Sequence, residues 1–151
     1  MACALKSVAL HDQYPKTVAH GDVHLKNWYV AGNGEMGLGD WQCAHHGHWA
    51  RDVAYALSTA LTIENRRDSE QDLLRYYLDR LHAAGGPKLD FNDAFTAYRQ
   101  QLITALTWWT IVVHPAPGMP DMQPRDITFE FVRRMSTAMD DLDTLDSLRG
   151  V

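Results

Sequence analysis

His20-Gly21-Asp22-Val23-His24-Leu25-Lys26-Asn27, continued through residues 28–38 to Gly39-Asp40-Trp41, is the stretch from which the rest of the chain can be read. Trp28, Tyr29 and Val30 carry strand-forming side chains. Asn33-Gly34 is a tight-turn pair, and Met36 and Leu38 alternate with glycines up to Asp40. This pattern predicts a small β-hairpin. Asp22 and Asn27 then precede the hairpin and Asp40 follows it. Taken alone, Asp22 reads as a turn or capping aspartate, the commonest fate of such residues. The combination with Asn27 and Asp40 is what points to chemistry.

Moving a phosphoryl group from ATP to a hydroxyl needs a carboxylate to orient and deprotonate the acceptor. It also needs oxygen ligands that hold magnesium against the phosphates. In the protein kinase pattern the catalytic aspartate precedes a metal-binding asparagine by five residues, and a metal-binding aspartate follows on the next hairpin. Asp22, Asn27 and Asp40 repeat that order and that step. The segment most closely resembles the aminoglycoside phosphotransferases, choline kinases and related small-molecule kinases. Their catalytic loop is similar to His-Gly-Asp-x-x-x-x-Asn and their later metal motif to Asp-Trp.

The resemblance implies specific roles. Asp22 is the catalytic base, and Asn27 and Asp40 bind the Mg2+ that bridges the phosphates of ATP. His20 braces the loop. His24 stands two residues after the base, where many protein kinases carry a lysine near the transferring phosphate. Either it contacts that phosphate or it is a structural histidine donating to a loop carbonyl. Arg51-Asp52-Val53-Ala54 resembles the segment that follows the metal motif, which makes Asp52 a supporting residue bonded back to the catalytic loop. The motif region is 19–41 and the resemblance weakens toward residue 57, so it covers roughly a third of the chain.

Residues 51–62 place Val53, Leu57, Ala60 and Leu61 on one helical face. From Ser69 onward Leu74, Tyr77, Leu78 and Leu81 repeat the spacing, and Gly85-Gly86-Pro87 supplies a stop. Asn92 is a candidate cap for a third helix, which becomes apolar on most faces over residues 108–113 and reads there as core. Pro115, Pro117, Pro120 and Pro124 make residues 114–124 a loop, either a lid or a connector. A last helix over 126–148 aligns Phe131, Met135, Met139, Leu142 and Leu145, and leaves Asp140, Asp141, Asp143 and Asp146 to solvent. Residues 1–10 read as a short helix broken at Tyr14-Pro15. The five tryptophans read as core more than as a stacking surface for sugars.

The expected fold is therefore α+β and mostly α: one domain over 1–151, similar to a protein-kinase C-terminal lobe, with a catalytic-loop hairpin packed on a helical subdomain spanning 51–148. A complete kinase of this type also has an N-lobe, with a glycine-rich loop over the phosphates and a strand lysine. The stretch before His20 is too short for one. Gly32, Gly34, Gly37 and Gly39 follow the catalytic loop, and Lys6 and Lys16 lack the strand context. Three expectations follow: a fragment of a longer enzyme, a lobe completed by another chain, or a catalytically silent binding lobe.

Composition sets the remaining limits. With 151 residues, 46% apolar and 22% charged, the chain suits one compact domain. Its 19 acidic against 14 basic residues, net charge −5, give no reason to invoke nucleic acid and leave room for a cleft taking cationic substrates. The expected partner is a small-molecule hydroxyl acceptor. Cys3 and Cys43 form no spaced framework, which suits a reducing cytoplasmic setting. No apolar stretch approaches the ~20 residues a membrane span needs. His45, His46 and His48, with His20 and His24, invite a zinc reading, although the resemblance puts the first three on the acceptor side. Gly21-Asp22-Val23-His24 also evokes metallophosphoesterases, but no Asn-His pair follows.

Overall fold

The structure, a computed structural model, describes residues 2–120 and 122–149; Met1 of the expected first helix and Asp121 of the proline-rich loop lie outside them. The order is α1 (Ala2–His11), β1 (Thr17–Ala19), β2 (Trp28–Val30), β3 (Met36–Leu38), β4 (His45–Gly47), α2 (Trp49–Ala60), α3 (Ile63–Ala83), α4 (Phe91–Val113), α5 (Arg125–Asp141) and α6 (Thr144–Ser147). The chain is thus mostly helical with two small antiparallel sheets. β2 and β3 form the hairpin, with Tyr29 opposite Gly37. A Cβ at residue 37 would lie 2.2 Å from Cζ of Tyr29, so glycine is what lets that ring lie across the strand. The second sheet, β1 with β4 and Ala19 opposite His45, has no counterpart in the sequence reading.

Several boundaries differ from the sequence expectations, each for a local reason. α2 starts two residues early because the His48 ring accepts from Ala50 N and caps it. α3 starts at Ile63 rather than near Ser69, since Thr62 Oγ1 accepts from Asn65 N, 3.2 Å away. It ends in a Schellman motif in which Gly85 (φ 92°) bonds to His82 O and Gly86 to Leu81 O. Asp90, not Asn92, caps α4, its carboxylate accepting from both Asn92 N and Asp93 N. The expected last helix is two. Arg99 on α4 donates from Nε to Leu142 O (2.5 Å) and closes α5, and Asp143 turns at φ 47° before α6.

Two cores hold the helices. Trp49, Ala50 and Ala54 of α2 meet Leu74 and Leu78 of α3, and Tyr98 and Leu102 of α4. Below the catalytic loop, Val23 and Tyr55 meet Ala105 and Trp109 of α4 and Phe131 and Met135 of α5. The end of α4 is not core throughout. Only the stripe through Leu102, Ala105 and Trp109 faces α2 and α5, while Trp108 and Ile111 are half-exposed. Trp28 and Trp41 are also exposed, so of the five tryptophans only Trp49 and Trp109 are buried. Asp141 is not simply solvated: Arg66 and Arg67 both donate to it, with Arg67 Nε 2.7 Å away. Arg66 is buried and also pairs with Glu70 (2.7 Å), whose Oε2 accepts from Tyr98. No helix among the described residues is long and apolar enough to cross a membrane.

Candidate active site

Residues 20–27 form a loop between β1 and β2 that closes in a single 3-10 turn, Leu25–Asn27, and its peptide groups lie outside any β-ladder. Each therefore needs another partner. Asp52, in the first turn of α2, supplies two: Oδ2 accepts from His20 N (2.6 Å) and Oδ1 from Gly21 N (3.1 Å). Gly21 sits at φ 83°, and a Cβ there would lie 2.5 Å from Cys43 O. Left-handed geometry and this close approach together require glycine.

His20, 2% exposed, fixes its own tautomer. Its Nδ1 accepts from Asp22 N (3.2 Å), so Nε2 bears the hydrogen and donates to Gly39 O at 2.7 Å. One imidazole thus links the loop to the residue before Asp40. A second link is Gly39 N donating to Asn27 O (2.7 Å). Asp40 itself adopts φ 56°, ψ 63°, an uncommon conformation for a non-glycine residue and one found at functional turns.

The Asp22 carboxylate gathers donors. Tyr55 OH lies 2.9 Å from Oδ1, while Asn27 Nδ2 is 3.3 Å and His24 Nε2 3.6 Å from Oδ2. Partial burial pushes the Asp22 pKa up. The nearby His24 ring and the donations from Tyr55 and Asn27 outweigh that, and the group is held below the ordinary aspartate value. The Tyr55 phenol moves the other way. Burial, then the Asp22 charge and the bond to it, raise its pKa far above the usual tyrosine range, so it stays a donor. His24 is buried, edge-on against Trp109, and its Nδ1 accepts from Lys26 N instead of the ring donating to a carbonyl.

Asn27 uses its amide nitrogen twice, on Asp22 O (2.7 Å) and Oδ2, and no protein donor among the described residues reaches its Oδ1. The Asp40 carboxylate is exposed, with a single long contact from Gln42 Nε2 at 3.5 Å. Two oxygen donors left open on adjoining turns suit a hard divalent cation such as Mg2+. His45, His46 and His48 lie on and just beyond β4; His45 Nδ1 faces Cys43 O and His48 Nδ1 accepts from Ala50 N, and among the described residues no three of the His, Cys, Asp and Glu side chains are grouped to hold a metal ion as the zinc reading needs.

Tyr55 is the residue the sequence reading passes over. Its signal is its position three residues after Asp52, one turn along the same helix face. The long side chain reaches the carboxylate, whereas Asp52 reaches only the backbone.

The profile of the phosphotransferase enzyme family (APH) matches residues 2–95, which includes the whole loop, the hairpin and α2. The chain therefore belongs to that family. No curated protein and no solved structure matches it.

Proposed function

We propose that this member of the phosphotransferase enzyme family transfers the γ-phosphate of ATP to a hydroxyl of a small molecule, with Asp22 as the base. The carrying observation is the Asp22 carboxylate, kept unprotonated and fixed in orientation by Tyr55, Asn27 and His24. In the reaction the acceptor oxygen forms a bond to the γ-phosphorus, the bond to the ADP oxygen breaks, and the hydroxyl proton passes to Asp22. Asn27 Oδ1 and Asp40 would hold Mg2+, which would neutralise charge on the phosphates. His20 and Asp52 position the loop. His24 holds the base from the side opposite Tyr55, and the acceptor meets Asp22 directly.

A glycine-rich phosphate loop and a strand lysine are not found in residues 1–151, and we propose that a further lobe supplies them, from a longer form of the protein or from another chain. The outer faces of the hairpin and β1 support this. Val18, Tyr29, Val30, Met36 and Trp41 are all more than half exposed, more large apolar side chains on these short strands and the turn after them than a solvent-facing surface needs. The same surface favours a second reading, a silent lobe that binds a protein.

Titration calorimetry with Mg-ATP on the form that carries the further lobe separates the two. Binding that disappears in Asp40→Ala supports the transferase, and no binding at millimolar nucleotide supports the silent lobe. Once a competent form is assembled, wild-type turnover by Asp22→Asn would sink the mechanism.

A further inference from the structure

A cavity of about 480 Å3 lies between the end of α1, β4, the start of α2 and the middle of α4. That is the size of an ordinary small-molecule site. Gly21, the residue before Asp22, belongs to its wall, so a ligand there sits beside the catalytic loop. The wall's charges decide what kind of ligand.

Asp12 and Lys16 pair with each other and cancel. Arg51 makes no ion pair among the described residues. Its partner is neutral: Nη1 lies 3.2 Å from His45 Nε2. His45 Nδ1 faces the Cys43 carbonyl oxygen at 3.0 Å, and a carbonyl only accepts, so Nδ1 bears the hydrogen and Nε2 takes the donation from Arg51. The guanidinium is therefore held in place without being neutralised, and its remaining N–H groups are uncommitted. It also sits in the first turn of α2, where the helix dipole adds positive potential. His48, whose pKa burial and His11 push down to about 4, adds no charge at neutral pH.

The α4 wall is polar and aromatic. Gln101 Oε1 and Thr104 Oγ1 have no hydrogen-bond partner in the protein, and buried polar groups left so usually await one. Trp108, 39% exposed, contributes an indole beside them.

Resting on the transferase reading above, we propose that this cavity seats one end of the acceptor, a hydroxylated metabolite bearing a carboxylate or phosphate, with its anionic group on Arg51 and its reacting hydroxyl extending past Gly21 to Asp22. The planar guanidinium fork matches either anion. Gln101 Oε1 and Thr104 Oγ1 are enclosed as the chain stands, and a turn of either side chain toward the ligand gives its hydroxyls a partner. A polycationic amine, by contrast, meets Arg51 and finds on the wall only a carboxylate already paired.

Tryptophan fluorescence and calorimetry on the full chain test this with four probes: gluconate, glucose 6-phosphate, glucose and glucosamine. The expected result is that gluconate or glucose 6-phosphate binds at least about tenfold more tightly than glucose or glucosamine, with the better of the two telling carboxylate from phosphate. Arg51→Gln removes the preference and Arg51→Lys retains part of it. Glucosamine binding as tightly as the anions, a preference that survives Arg51→Gln, or no binding by any probe overturns the proposal. Should Arg51→Gln fail to fold, amide shifts in the unaltered protein decide: the better anion must move Gln101, Thr104 and Trp108, and shifts confined elsewhere refute the site. These measurements read binding and not turnover. Their failure leaves Asp22 chemistry standing, whereas loss of Mg-ATP binding removes the transferase reading and leaves the cavity as a measured site.

Discussion

Asp52→Asn tests the scaffold of the catalytic loop without any need for turnover. The wild-type carboxylate accepts two backbone N–H groups, from His20 at 2.6 Å and from Gly21 at 3.1 Å. Asparagine has nearly the same shape but only one acceptor. Whichever way the amide is turned, its NH2 faces one of the two N–H groups, donor against donor. The substitution therefore loses one charge-assisted bond, worth about 1.5–3 kcal/mol, and weakens the other, which becomes a neutral bond. Because the site is partly buried, water only partly compensates.

The expected cost is about 2–3 kcal/mol, read as a shift of the urea midpoint at unchanged slope. The amide hydrogens of His20 and Gly21 should exchange about 30- to 150-fold faster, the equivalent of that energy, while those in the middle of α4 change less if loop opening is local. A midpoint change below about 0.5 kcal/mol with unaltered exchange at both amides would refute the reasoning. It would mean that the loop holds its shape without Asp52.

Gly21→Ala should destabilise by about 3 kcal/mol or more in thermal unfolding, since the added Cβ meets Cys43 O at 2.5 Å and the residue sits at φ 83°. Glu70→Gln weakens a buried pair with Arg66 and should cost about 3 kcal/mol, somewhat offset because Arg66 keeps Asp141; chemical denaturation measures it. His48 titrates at about 4 in the folded chain against 6.5 ordinarily, so the unfolded chain binds more protons between those values. Stability from this group is complete above pH 6.5 and falls as pH drops toward 4, and His48→Asn, which keeps the cap, should flatten that part of the curve. In a competent form Tyr55→Phe should lower kcat about tenfold, the value of one hydrogen bond to a charge, with the ATP KM within about twofold. It should also move the acid limb of the pH profile upward, because the lost donation no longer depresses Asp22; an unmoved limb and unchanged kcat contradict the positioning role.

How much of this was legible depended on whether the signal was local. The hairpin was, because alternation on both sides of Asn33-Gly34 is a feature of eleven consecutive residues. The left-handed stop at Gly85 was local too. The caps were half legible. Asp90 and Asn92 are both good cap residues and spacing alone does not choose between them, while histidine at 48 carries no such signal at all. Strands β1 and β4, three residues each and 26 residues apart at their closest ends, are too short to show a period. Asp141 looked like one more acid on a solvated face because Arg66 and Arg67, its partners, lie 75 and 74 residues away. The motif residues of the candidate site were readable as types, but their partners are set by the fold. Tyr55 reaches Asp22 across 33 residues and Trp109 supports His24 from another helix.

Asp22, the proposed base, and the open oxygen at Asp40 lie on opposite sides of a hairpin, and hairpins twist and flex, so some element has to fix their separation. The strands alone give only short ladders. His20 does more, since its two ring nitrogens engage Asp22 N and Gly39 O, one residue from each functional carboxylate backbone or on it. That double engagement works only for the neutral ring with hydrogen on Nε2: protonation removes the acceptor that Asp22 N uses, and the other tautomer reverses both roles. Two neighbours hold the residue in place. Asp52 accepts from His20 N and Gly21 N on the backbone side, and the Trp41 ring meets the imidazole at 4.7 Å between centroids. Trp41 in turn donates from Nε1 to Leu38 O at 2.7 Å, tying the same ring to the end of β3. The tryptophan that follows Asp40 is therefore not a core residue displaced to the surface. It packs edge-on against the histidine that links the two halves of the candidate site, a contact that leaves the rest of the indole half-exposed.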